Sequence, residues 1–316
     1  MSAATTTFPF LQRIKFGDAG TLLGLILIGT VFAVLSPSFF TGQNLLNVLQ
    51  QSSVNACIAL GMTLAMISAG IDLSVGPVAA LTAELGATIM VAGVPFIFAV
   101  AGALCIGMLC GLINGALIAW GGLQAFIVTL GGLSLYRALV PIFTDGQPIF
   151  GLPDAFRAFT NGTFLGVPNP VVIVAVLAIC AWVTLNKTPL VEYFTAVAGN
   201  SGAARIAGVP VTLTKLAAYR ISGLMAAVGA MILVGRLDAA EPTMATFWKL
   251  DAIAASAIGW ANLMGGRGLI IGTLISCVIL GTLRNGVTLL NVQAFYQMLA
   301  TGIIIVAMLI EKPTSG

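Results

Sequence analysis

Gly70-Ile71-Asp72-Leu73-Ser74-Val75-Gly76 sets one carboxylate between two glycines in an otherwise apolar region of the chain. Glycine relaxes the backbone limits on each side, and Asp72 or Ser74 can accept hydrogen bonds from the free N–H groups that open a new helix. The stretch therefore reads as a helix break. In a water-soluble protein it would be an ordinary cap, whereas in a bilayer an ionisable side chain is costly and points to function. The solvent decides between these readings.

Of 316 residues, 59% are hydrophobic and 7% charged, against about 25% charged in a typical soluble domain, and the mean hydropathy is +1.08. The composition is that of an integral membrane protein. A net charge of +3, scattered along the chain, does not indicate nucleic acid binding; the basic residues serve instead to orient the chain. Cys57, Cys105, Cys110, Cys180 and Cys277 fall inside apolar runs, with no CxxC spacing and no histidine to complete a metal site,. They are expected to be reduced, buried thiols, with no metal and no cofactor. At roughly 20 residues per crossing, the apolar runs fill about ten spans and leave little chain for a soluble domain. The expected fold is all-α, with residues 1–316 as one transmembrane domain.

Arg13 and Lys15 precede the first run, 21–35, which continues into Ser36-Pro37-Ser38 without a small-residue cleavage site, so it reads as an uncleaved helix leaving the cytoplasm,. A second span, 45–69, returns inward to the Asp72 break, and a third, 75–91, runs out to Gly93-Val94-Pro95. The fourth, 96–119, carries Gly102, Gly107, Gly111 and Gly115, small residues that allow close helix approach in lipid,. The fifth, 126–143, leads to a polar external loop over 144–170, and the sixth, 171–185, returns to Lys187. Residues 187–215, with Glu192, Arg205 and Gly208, are amphipathic and form the principal cytoplasmic loop. Spans 216–234, 252–263, 269–290 and 295–310 follow, and the chain ends at Glu311-Lys312 with both termini inside. Arg13, Lys15, Lys187, Arg205, Lys215, Arg220, Arg267 and Lys312 then lie towards the inner face. Arg157, Arg236, Lys249 and Arg284 are fewer and lie towards the outer one,.

The halves echo one another. Ile71-Asp72 opening an Ala-rich helix is matched by Leu250-Asp251, Asn114-Gly115 by Asn285-Gly286, and Gln124-Ala125-Phe126 by Gln293-Ala294-Phe295, in the same order at a nearly constant offset. Repeats over about 45–145 and 216–311 are separated by an odd number of crossings and are therefore inverted, an arrangement transporters place around a substrate path.

Enzymatic and nucleotide chemistry is missing. Lysine never follows glycine, so there is no phosphate loop, and there is no HExxH and no Gly-x-Ser-x-Gly,. Asp72 and Glu84 lack a visible partner that would make a catalytic pair. No catalytic residue is expected.

Gly61-Met-Thr-Leu-Ala-Met-Ile-Ser-Ala-Gly70-Ile-Asp72-Leu-Ser74-Val-Gly76 resembles the signature of the membrane permease subunits of bacterial ABC importers for ribose, xylose, arabinose and related monosaccharides. Phe126-Ile-Val-Thr-Leu-Gly131, Gly146-Gln147-Pro148-Ile149, Leu250-Asp-Ala-Ile-Ala-Ala255 and Gly265-Gly-Arg-Gly268 extend the likeness over about residues 20–311. Gly199-Asn200-Ser201-Gly202-Ala203-Ala204-Arg205-Ile206-Ala207-Gly208 is similar to the family's cytoplasmic coupling loop. Ser201-Gly202 departs from it where the family often has acidic residues. The resemblance implies a multi-pass inner-membrane permease that works with an ATP-binding cassette subunit, a periplasmic sugar-binding protein and a second permease copy. Residues 203–208 would dock in a groove of the ATPase, with small alanines allowing close entry and Arg205 pairing with a carboxylate.

Two readings stay open for Asp72 and Ser74: caps of a broken helix, or the lining or gate of the translocation path. Asn114 and Asn285 present amides either to sugar hydroxyls or to helix ends. Arg137, near the outer end of the fifth span, snorkels to the interface or contacts substrate, and Glu84 is expected to face a partner or water. Permeases for branched-chain amino acids or nucleosides, an ion-coupled secondary transporter and a non-transporting scaffold are the rival functions.

Overall fold

In the computed structural model, residues 16–262, 265–266, 268–293, 296, 299 and 302–303 are described. Helix α1 is Phe16–Leu35, α2 Gly42–Ile67, α3 Val75–Val91, α4 Phe96–Ala119, α5 Ala125–Thr144, α6 Asp154–Asn161, α7 Asn169–Lys187, α8 Leu190–Ile206, α9 Val211–Leu237, α10 Trp248–Ile258 and α11 Ile270–Leu289. The apolar runs expected to cross the membrane fall on α1 to α5, α7 and α9 to α11. Most of the tenth expected span, 295–310, and the inner-face residues Arg13, Lys15, Arg267 and Lys312 lie outside the described residues. Among the described residues, five helices, α4, α5, α7, α9 and α11, are long and apolar enough to cross a bilayer.

Burial divides these helices into a core and a rim. In their most apolar stretches, 67% of α9 and 61% of α11 residues are buried, against 28% in α4, α5 and α7. The rim helices turn leucines and phenylalanines such as Phe98, Leu109, Ile142 and Ile179 outward, as a lipid-facing surface requires. Cys105 and Cys180 share that surface. The expectation of five buried thiols therefore holds for Cys57, Cys110 and Cys277 only, because a thiol is apolar enough to face lipid,.

Inside, α9 packs on α2, α3 and α4, while α2 packs on α9, α10 and α11; α3 also meets α4, and α10 meets α11. Exchanging α2, α3 and α4 with α9, α10 and α11 leaves this pattern of neighbours unchanged. The α2/α9 crossing repeats the relation atom by atom. A Cβ added at Gly61 would lie 3.0 Å from Ser222 Cα and 2.9 Å from Met225 Cβ, and one at Gly229 would lie 3.1 Å from Val54 O and 3.4 Å from Cys57 Cβ. One constant shift in residue number carries Val54, Cys57 and Gly61 onto Ser222, Met225 and Gly229.

The region expected as a plain loop over 144–170 is structured. Strand β1, Ile149–Phe150, pairs antiparallel with β4, Ala239–Ala240, and β2, Thr163–Phe164, with β3, Val167–Pro168. Between them α6 docks on the C-terminal end of α9: Asn161 Nδ2 donates to Gly235 O at 2.8 Å, and Arg157 donates to Asp238 Oδ2 at 2.9 Å and to Asp154. Thus α6 marks one end of the bundle, and α8, against the start of α9, marks the other.

Candidate functional site: a buried polar network and two breaks

After α2 ends at Ile67, residues 68–74 turn back into the bundle before α3 begins. Ala69 takes φ 59°, and Gly70 admits no side chain, since a Cβ there would lie 2.1 Å from Tyr219 Oη. The turn carries Asp72 to the level of Ser222, in the interior part of α9. Asp72 Oδ1 accepts from Ser74 N at 3.0 Å and Ser74 Oγ at 2.6 Å, and Oδ2 accepts from Ser222 Oγ at 2.7 Å. Ser74 Oγ in turn accepts from Asn114 Nδ2 of α4 at 2.8 Å, and Asn114 Oδ1 accepts from Tyr136 Oη of α5 at 3.1 Å. All five side chains are buried. Four elements are joined by one chain of hydrogen bonds, which a low-dielectric interior strengthens.

Asp72, Ser74 and Asn114 are thus brought together, and Asp72 satisfies the backbone N–H at the head of α3 as a capping residue would. Ser74 makes no such bond with its own side chain. Asn285 lies elsewhere: it exchanges paired amide bonds of 2.9 Å with Asn44 of α2. Its neighbour Arg284 holds Asp251, the counterpart of Asp72, at 2.5 Å. Ser222 and Tyr136 are members that sequence reasoning missed; the only signal was a lone hydroxyl, Ser222-Gly223, inside an apolar run.

A second break enters from the α6 end. Beyond β4 the chain passes Glu241 and reaches α3, where a Cβ added at Gly76 would lie 2.5 Å from Ala245 O. Arg137 turns into the protein instead of snorkelling to the interface. Its Nη1 donates to Pro242 O at 2.9 Å and Met244 O at 3.0 Å, because those turn carbonyls have no helical partner and sit within its reach. Glu84 is fully buried, and neither carboxylate oxygen has a hydrogen-bond partner among the described residues.

At the α8 end, the amphipathic segment is helical but broken at Asn200, whose φ of −159° and ψ of 105° are extended. Asn200 Oδ1 accepts from Gly202 N at 2.9 Å and Ala203 N at 3.0 Å, so it caps a new short helix,. That helix closes with Val209 N on Ala204 O at 2.9 Å and Gly208 at φ 86°, a left-handed position suited to glycine,. Ala204 buries itself against Val197 and Val211, while Ala203, Arg205 and Ile206 project outward, Ile206 being 91% exposed. Gly199 is also exposed.

This element reaches the first break. A cavity of about 520 Å³ lies between them, bounded by Gly70, Ile71, Gln124, Ser201, Lys215 and Tyr219. Beside it, Gly266 N donates to Ile67 O at 2.9 Å, and a Cβ at Gly265 would lie 2.7 Å from Ala198 and 2.8 Å from Ala69. The 265–266 turn is wedged between α8 and the break.

Residues 44–309 match the family described as branched-chain amino acid transport system / permease component. Over 297 residues the chain is 43% identical to the ribose import permease protein RbsC of Escherichia coli (strain K12), covering 92% of each chain. Identity to the ribose import permease protein RbsC of Bacillus subtilis (strain 168) is 42% over 312 residues, 96% of this chain and 97% of the relative. The D-allose transport system permease protein AlsC of Escherichia coli (strain K12) is 35% identical over 308 residues, 97% of this chain and 94% of the relative.

Proposed function

We infer that this chain, which belongs to the branched-chain amino acid transport system / permease component family, is the transmembrane permease subunit of a monosaccharide ABC importer in the bacterial inner membrane. It is not an enzyme; ATP hydrolysis resides in a separate ATP-binding cassette subunit, and a periplasmic binding protein delivers the sugar. The observation that carries the substrate class is the near full-length identity, 43%, to a ribose permease, with an allose permease close behind. We further propose about ten crossings in two inverted repeats with both termini cytoplasmic, a reading supported by the exchange-symmetric packing around α2 and α9.

In this mechanism two permease copies flank the path, and the partner ATPases close on ATP and push on the α8 end. Ala203, Arg205 and Ile206 meet the ATPase groove; Asn200 and Gly208 fix the ends of the docking helix, Gly199 precedes it, and Ala204 anchors it. The push passes from Val197 and Ala198 through the 265–266 turn to Ala69 and Gly70, and so to the Asp72 network. Because that network ties α3, α4, α5 and α9 together, the permease tilts as a body and opens first to one side and then to the other. Asp72, Ser74 and Asn114 act as the hinge-side clamp of this movement, and Asn285 with Asn44 performs the same task for α11. Arg205→Glu is expected to lower transport-coupled ATP hydrolysis at least tenfold while membrane insertion is kept; unchanged coupled hydrolysis would sink the docking role.

Uptake into proteoliposomes that hold the complete importer tests the substrate. Labelled ribose, allose or galactose should accumulate with ATP and binding protein present. The family's description favours branched-chain amino acids as a second reading, and accumulation of leucine without any sugar would establish it instead.

A further inference from the structure

We propose that residues 241–249, which re-enter the bundle from the α6 end, form the sugar-contacting collar of the passage. The inference rests on the monosaccharide permease reading above and assigns the part of the path that touches sugar.

The contacts of the segment trace its depth. Strand β4, which leads into the segment, lies against α3, and Ala245 O meets Gly76, in the first turn of the same helix. On the other side, α5 supplies a second ruler. Arg137, which grips Pro242 O and Met244 O, lies about two turns inside the end of α5 at Thr144,. Arg137 is about 7.5 Å further along α5, at 1.5 Å per residue, than Gly132, which faces Ser74. The two breaks therefore meet near the middle of the bundle.

Non-helical backbone at that depth survives only where protein covers it or where it lines a water-filled cavity. This segment divides accordingly. Met244 and Ala245 are buried towards α3, while Glu241, Thr243, Thr246 and Phe247 are exposed on the opposite side. Lys249 Nζ reaches back to Thr246 O at 3.4 Å on that same side. A row of a carboxylate, two hydroxyls and an ammonium group facing hydrocarbon would be costly, so the row faces water, and the water at this depth is the passage.

Its chemistry selects the ligand class. The Thr243 hydroxyl, the acceptor side of Thr246, whose own proton goes to Thr243 O at 2.6 Å, an acceptor carboxylate and a donor ammonium match the donor and acceptor hydroxyls of a sugar, and the Phe247 ring offers an apolar surface to the C–H face of a sugar ring. Within the row itself, Glu241 and Lys249 balance one another in charge. The fit is to a neutral polyhydroxylated molecule. Arg137, which grips the backbone of the segment at Pro242 and Met244, is a positioning residue for the collar.

The test uses the complete importer in proteoliposomes, with Cys105 and Cys180 replaced by serine and a single new thiol at Thr243→Cys, Thr246→Cys or, as a control in the outer β2–β3 hairpin, Phe164→Cys. A charged, membrane-impermeant methanethiosulfonate is added from the binding-protein side. The two collar thiols should react, transported ribose should slow their reaction severalfold, and the attached group should cut uptake at least tenfold; the Phe164→Cys thiol should react without response to sugar. Thr243→Val and Thr246→Val, which keep shape and lose the hydroxyl, should raise the KM for uptake at normal assembly, and the serine variants should not. Collar thiols that stay unreactive while Phe164→Cys reacts in an importer that moves sugar would overturn the collar, as would reaction without effect on uptake. A wild-type importer that moves leucine and no monosaccharide overturns the reading beneath it and the collar's sugar assignment together.

Discussion

Asp72 is held by three donors, Ser74 N, Ser74 Oγ and Ser222 Oγ, and what replaces it separates two roles. Asparagine keeps an acceptor for Ser74 and offers its amide to Ser222 Oγ, which can turn to accept; exchanging charged for neutral hydrogen bonds loses about 1–2 kcal/mol. Leucine leaves buried donors unmet, at about 1–3 kcal/mol for each. Asp72→Asn is thus expected to purify at near-normal yield with a slightly lowered melting temperature in detergent, and Asp72→Leu to melt far lower or fail to assemble. Equal melting of the two variants would show that the bonds carry no stability. If Asp72→Asn assembles normally yet loses uptake, the carboxylate serves the movement and not only the fold. The choice between cap and gate that the sequence left open is narrowed by geometry: the side chain is wholly enclosed in this chain, so any part it plays in gating acts through Ser74, Asn114 and Ser222 and not by touching solute.

At the scale of elements, the contact between α4 and α9 depends on glycine at a few defined places. A Cβ at Gly111 would lie 2.1 Å from Tyr219 O, and one at Gly223 would lie 2.1 Å from Gly107 O, both backbone atoms that cannot step aside. Gly131, on the rim face of α5, has nothing within 4 Å. Gly111→Ala should therefore separate the two helices and lower stability by about 1–3 kcal/mol, the usual range for overpacking, whereas Gly131→Ala should be neutral or slightly stabilising through helix propensity. Thermal melting of the two proteins side by side decides this, and a neutral Gly111→Ala would mean that the crossing is not close. The glycines of α4 were legible as packing residues because small side chains at helical spacing have few other uses in lipid. The ends of α1, α3 and α4 were legible too, since apolar runs ending at Ser36-Pro37, Gly93-Val94-Pro95 or Trp120-Gly121-Gly122 leave little choice, whereas α10, expected over 252–263, is Trp248–Ile258. What escaped was irregular or amphipathic: α6, whose hydrophobic side is only Phe156 and its neighbours; the descent of 241–247, which in sequence is merely a polar loop; and the break at Asn200 inside α8. In each case the deciding partner, Gly235, Arg137 or the Gly202 amide, is set by tertiary contact or by a local bond that periodicity does not report.

For the whole molecule, the proposed repeat draws its support from a relation among helices. Asp72 and Asp251 each sit near the head of a short helix, and each is joined to the following long helix at the matched position, through Ser74 to Asn114 in one half and directly to Arg284, beside Asn285, in the other. Asn285 does not join the Asp72 network, because its amide pairs with Asn44 and Asp251 is held by Arg284 instead. Inversion has a consequence that can be measured. The proposed inverted repeat, with α9 running from the α8 end to the α6 end, puts the β2–β3 hairpin and the short helix closed by Gly208 on opposite sides of the membrane. Phe164, 62% exposed, and Ile206, 91% exposed, mark those two sites. In cells carrying the Cys105→Ser/Cys180→Ser protein, Phe164→Cys should be labelled by an impermeant maleimide once the outer membrane is opened. Ile206→Cys should be labelled only when the inner membrane is broken. Labelling of both thiols from the same side would rule out an odd number of crossings between them and with it the inverted repeat; the reverse pattern would keep the repeat but place α8 outside, where no ATPase can reach it.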